Sequence, residues 1–163
     1  VMSRGRLVLL GLVTIAAAAQ AVQPNRTNPT VEPGRTVFDH LIVSGEVAAI
    51  LRRSCWDCHS HETRWPWYAY VAPVSWWIAS DVREARDHMN LTDWAAYSRE
   101  DSALKLGKMC EEVREGRMPL RGYRLLHPRA GLSRAEVDTL CAWTRRETDR
   151  LLRDSYGRPG PRR

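Results

Sequence analysis

The sequence predicts an all-α fold, a single small helical domain behind an N-terminal apolar helix. Three observations carry that expectation. Apolar residues recur at helical spacing in four separate segments between residues 45 and 148. Ser133 and Glu136 stand at the spacing of a capping box, opening the last of these segments. The first residues place Arg4 and Arg6 before an unbroken apolar run from Leu7 to Ala19, the pattern of an export segment. At 163 residues the chain has the length of one domain.

The N-terminal segment ends at Ala19-Gln20-Ala21, an A-x-A cleavage pattern. Counted on to Val22 it approaches the ~20 apolar residues that a bilayer crossing needs. Residues 1–22 are therefore expected to be a signal peptide or a membrane anchor, and either delivers the rest of the chain across a membrane, where disulfides persist. Residues 23–32 are rich in Pro and Asn and read as a linker. Residues 33–149 form the folded domain. Five arginines, with Gly157, Pro159, Gly160 and Pro161, make residues 150–163 a basic, disordered tail. The net charge is +6, of which Arg4 and Arg6 supply two, and no basic helix interleaved with stacking aromatics is present. This balance excludes a nucleic-acid binder and suits steering toward an acidic protein partner.

The first helix of the domain is predicted over 45–54, capped by Ser44, with Val47, Ile50 and Leu51 on its inner face. It leads directly into Cys55-Trp56-Asp57-Cys58-His59. In an oxidising compartment, C-x-x-C-H is the attachment signature of a c-type haem, with two thiols for the vinyl groups and an adjacent histidine for the iron. A zinc half-site would need two further ligands, and a thioredoxin-like pair would follow a strand in a βαβ unit. The stretch after His59 holds Trp65, Trp67, Tyr68, Tyr70, Trp76 and Trp77, interrupted by Pro66 and Pro73. It reads as a long loop wrapping an aromatic wall around a flat apolar group, with Trp65, Trp67, Tyr68 and Trp76 as pocket candidates; an ordinary aromatic core is the alternative.

A second helix is predicted over 76–89, with apolar positions at 78, 82, 85 and 89. Thr92 then caps a third helical region that carries Trp94, Leu104, Leu106, Met109 and Val113. Gly107 within it either divides the region or lets another backbone approach, and Gly116 fits the stop. Gly116-Arg117-Met118-Pro119-Leu120 follows. Met118 is the candidate for a soft, neutral sixth ligand, and Pro119 stiffens the loop that holds it. His40, His61, His88 and His127 compete for that role, and His61 lies too close to His59 to reach the opposite face. Residues 123–131 read as a connector before a terminal helix with Val137, Leu140, Cys141 and Thr144 on one face. Cys110 and Cys141 are the candidates for a structural disulfide, or else two separately buried thiols.

Taken together, Cys55-Trp56-Asp57-Cys58-His59-Ser60, Trp65-Pro66-Trp67-Tyr68, Ala72-Pro73-Val74-Ser75-Trp76, Asn90-Leu91, Trp94, Gly116-Arg117-Met118-Pro119 and Trp143 resemble the bacterial haem-binding domain family, from about residue 27 to 143. The resemblance implies a cytochrome c-like helical domain around one covalent haem c on Cys55 and Cys58, with His59 and Met118 as iron ligands. It also favours a retained anchor on the periplasmic side of the bacterial inner membrane over a soluble periplasmic form. The expected function is one-electron transfer with periplasmic or membrane redox proteins as partners, as a carrier and not an enzyme. The alternatives are a haem module of a larger membrane complex and open-site haem catalysis such as peroxide reduction.

Overall fold

The computed structural model describes residues 3–156, and every regular element among them is helical. Seven α-helices follow in order: α1 (Arg4–Gln20), α2 (Val37–His40), α3 (Gly45–Ser54), α4 (Val74–His88), α5 (Arg99–Arg114), α6 (Arg121–Leu126) and α7 (Arg134–Tyr156). Single 3-10 turns lie at Trp67–Tyr70, Trp94–Ala96 and Pro128–Ala130.

The body of the domain is the pair α5 and α7, packed along one another, with α3 laid against α7. Val47, Ile50 and Leu51 of α3, Leu106, Met109 and Val113 of α5, and Leu140 and Trp143 of α7 share one buried cluster. Cys110 of α5 and Cys141 of α7 are joined in a disulfide within this pair. The α3 cap forms at Ser44, whose Oγ accepts the Val47 N–H at 3.4 Å. At the start of α7, the Glu136 carboxylate accepts from the Ser133 N–H at 2.8 Å while the Ser133 hydroxyl accepts from the Glu136 N–H at 3.3 Å. Two backbone donors that a helix start leaves unpaired are thereby satisfied together.

Several boundaries differ from the sequence reading. The third helix starts at Arg99 and not near Thr92, because Ser98 supplies the cap (Oγ accepting from the Asp101 N–H at 3.0 Å) and the Asn90 and Thr92 side chains bond to each other instead. It runs through Gly107 unbroken, with open space where a Cβ would stand, so this glycine neither divides the helix nor serves a close approach. The connector at 123–131 contains most of α6. Helix α7 continues to Tyr156, so residues 150–156 belong to it; the rest of the expected tail, 157–163, lies outside the described residues.

The expected N-terminal signal or anchor helix is corrected. Among the described residues no helix is long and apolar enough to cross a membrane. Helix α1 has 17 residues, a length of about 26 Å against a hydrocarbon core of about 30 Å. At its end the Gln20 side chain docks on the domain, its Nε2 donating to the Tyr70 carbonyl and its Oε1 accepting the Ala72 N–H at 3.0 Å. The membrane attachment and the anchored localisation expected from this segment fall with it.

Candidate functional site

The C-x-x-C-H stretch grows directly out of α3. The Cys55 and Trp56 N–H groups both bond to the Leu51 carbonyl at 3.0 Å, and the His59 N–H bonds to the Cys55 carbonyl at 2.9 Å. Continuing the helical turn in this way holds both thiols on the same side, where they line one cavity of about 660 Å³ with His59, Met118 and Pro119. Cys55 and Cys58 are not bonded to each other. Burial pushes the Cys55 thiol up to about 12 and the Cys58 thiol up to about 11. Both are therefore neutral at ordinary pH, the opposite of the depressed thiol that a dithiol redox pair uses. Among the described residues no group of three or more His, Cys, Asp or Glu side chains is placed to hold a metal ion.

His59 is held on two sides. The Leu91 N–H donates to its carbonyl at 2.7 Å, and its ring Nδ1 meets the Met89 carbonyl at 2.9 Å. A carbonyl only accepts, so Nδ1 carries the proton and Nε2 keeps its lone pair. Burial holds the imidazole below its ordinary value, more than its backbone bonds raise it. The ring is neutral at pH 7, the form that ligates a metal.

Met118 arrives by a tight turn after α5. Gly116 takes φ +67°, a left-handed conformation that glycine adopts without strain, and the Arg117 and Met118 N–H groups bond back to the Glu112 carbonyl at 3.0 and 3.1 Å. Met118 is half-buried and Pro119 buried. The remaining wall comes from Ala85 and Met89 on the α4 side and Leu104 and Met109 of α5, with charged side chains of both helices around them. A large apolar cavity with a few convergent polar groups is the form of a cofactor site.

The haem-binding domain family matches residues 14–146 of the chain. The chain belongs to this family. No curated protein and no solved structure matches it. The matched region of this haem-binding domain begins inside α1, upstream of the residue-27 start read from the motifs, and so takes in residues 20–28.

Those residues show where much of the aromatic loop goes. Trp65, Trp67, Tyr68 and Trp76 do not line the cavity. Trp76 Nε1 donates to the Val22 carbonyl at 2.7 Å, Arg26 stacks over Tyr70 at 4.3 Å and donates to the Ala69 carbonyl at 3.2 Å, and Trp65 faces Pro24 and Asn25 across a second, smaller cavity. Tyr68 meets His127, and Trp67 is 78% exposed. Residues 63–76 therefore hold the segment that includes the expected linker. Density of rings in a sequence marks a surface that needs covering, but it carries no periodicity that says by what.

The structure adds residues that the sequence reading passed over. Tyr123 of α6 lines the cavity, and its hydroxyl donates to Asp57 at 2.7 Å, inside the C-x-x-C-H stretch; burial and that carboxylate raise its ionisation. Of the four competing histidines, His40 bonds to the Gly34 carbonyl, His61 to Asn90 and His127 to Tyr68. His88 lines the cavity.

Proposed function

We propose that this haem-binding domain carries one covalent haem c and passes single electrons between protein partners in the bacterial periplasm. The observation that carries the reading is the convergence on one cavity of two thiols not bonded to each other, a neutral histidine whose proton sits on Nδ1, and a thioether on a separate loop. The donor set fits the group: Cys55 and Cys58, at C-x-x-C spacing, would hold its vinyls, and His59 and Met118 would ligate its iron. When bound, haem supplies a one-electron iron couple. Cys55 and Cys58 would fix its place at the end of α3, His59 is held from behind by the Met89 carbonyl, and the 116–120 loop would bring Met118 to it. The apolar walls exclude water and keep the environment low in polarity, which limits reorganisation as charge changes.

The Cys110–Cys141 disulfide supports an oxidising compartment. The net charge of +6 supports an acidic redox protein as partner. The test is a visible spectrum of the full chain produced with the covalent haem-attachment machinery. Haem that resists acid extraction, a six-coordinate low-spin spectrum in both redox states and the weak charge-transfer band of Met–Fe(III) ligation are expected. Extractable haem would overturn covalent attachment. A bis-histidine spectrum lost in His88→Ala would assign the sixth position to His88.

A further inference from the structure

The Met89–Asn90 peptide group is tied at both ends. Its carbonyl faces the Nδ1–H of His59 at 2.9 Å, and its N–H, on Asn90, donates to the Tyr97 hydroxyl at 2.8 Å. The hydroxyl, the peptide and the imidazole thus form one continuous hydrogen-bonded chain. In such a chain each bond polarises the next: an N–H drawn toward an acceptor leaves more negative charge on the carbonyl of its own peptide, which then binds the imidazole proton more strongly.

The rest of the neighbourhood holds Tyr97 in place. Its ring packs edge-on against buried Trp94, with centroids 5.5 Å apart, and the Lys105 ammonium lies 4.3 Å over its face. The peptide is itself braced. The Asn90 side chain accepts from the Thr92 N–H at 3.0 Å and the Thr92 hydroxyl at 2.8 Å, and that hydroxyl accepts from the His61 N–H at 2.8 Å. The crossing segment 89–92 is thus stitched to the segment 59–61 that carries the ring.

We infer that Tyr97 is a positioning residue for the haem-ligating face of His59, acting through the Met89–Asn90 peptide to hold the ring and to strengthen its electron donation at Nε2. This rests on the function proposed above. A partner that draws on the Nδ1 proton raises the basicity of the ligating nitrogen, and a more basic ligand favours the oxidised iron.

Tyr97→Phe tests this, because the ring and its packing on Trp94 remain while the hydroxyl is lost. Tyr70→Phe, which removes a hydroxyl from the outer aromatic loop, is the control. In the haem-loaded full chain, NMR of the His59 ring follows exchange of its Nδ1 proton with solvent, and a redox titration gives the potential. Tyr97→Phe is expected to exchange that proton about tenfold faster, the equivalent of one lost hydrogen bond, and to shift the potential in the positive direction. Tyr70→Phe is expected to change neither. Equal exchange and equal potential in Tyr97→Phe and the parent would overturn the role of Tyr97 while leaving haem binding intact. A parent chain that attaches no haem would instead remove the reading beneath it.

Discussion

A thioether is a weak neutral donor, so Met118 depends on its loop to stay in place. The loop is braced on both sides of the methionine. The Arg117 guanidinium is paired with Glu112 at 2.7 Å and with Glu115, and Pro119 limits rotation on the far side. Met118→Ala should leave haem attached through Cys55 and Cys58, open one axial position to carbon monoxide in the reduced protein, and lower the reduction potential. An unaltered spectrum and potential would remove Met118 from the site. Gly116→Ala should act on the same loop at its turn. At φ +67° an alanine costs about 1–2 kcal/mol, which thermal denaturation of the variant would register. At this scale the convergence was legible, because Cys55, Cys58, His59 and Met118, singled out by identity and spacing, line one cavity. The Met89 carbonyl was not, since every residue offers one and only the fold selects it. Tyr123 was missed because it opens the stretch 123–131 that reads as a connector, and a helix of six residues is too short to show a periodicity.

At the scale of elements, helix caps decided where the chain reads correctly. Ser44 and Ser133 cap α3 and α7 as their spacing suggests, and both helices begin there. Thr92 has the composition of a cap, but its hydroxyl is engaged by Asn90 and His61, and Ser98 takes the role. A cap residue states that a helix can start, and local competition decides whether it does. The α7 cap gives a pH-dependent prediction. Bonds from the Ser133 backbone, and then from Arg53 and the Ser133 hydroxyl, lower the Glu136 carboxyl to about 2. A carboxyl whose pKa is lower folded than unfolded stabilises the fold above its unfolded value, near 4.5 here, and that contribution is lost as pH falls toward 2. Glu136→Gln keeps the shape and a neutral acceptor but removes the charge. The parent should therefore melt higher than Glu136→Gln above pH 5, with the gap closing as pH falls to about 2. Because the side chain is partly solvated, the gap should be small and reduced by salt. Melting curves across that range check it; a gap independent of pH would place the contribution elsewhere.

Across the whole molecule, two parts are secured very differently. Helices α3, α5 and α7 share the buried core, and the Cys110–Cys141 bond ties α5 to α7. Helix α4 stands across the cavity from α5 and packs on the Trp67–Tyr70 turn. The helical body was legible from its periodicity. The role of residues 20–28 was not, because beyond Gln20 they form no helix and are held by scattered contacts such as Arg86 to Asn28 at 2.7 Å. An N-terminal apolar run invites a reading as a leader, and only the docking of Gln20 and Val22 shows where the domain takes hold of it. Replacing Cys110 and Cys141 with alanine should destabilise the protein by roughly 3–4 kcal/mol, the entropy of a loop of about 31 residues, measured by denaturant unfolding of the haem-loaded chain. Withholding haem should act on the other part. The cavity of about 660 Å³ separates α4 and the 116–126 segment from the body, so without the cofactor these elements lose the surface they would pack against, while the α5–α7 pair keeps its own core and its disulfide. Hydrogen exchange on haem-free and haem-loaded chains should show protection lost first in 74–89 and 116–126 and retained longest in 103–113 and 137–147. Uniform loss along the chain would mean instead that haem is the nucleus of the entire fold.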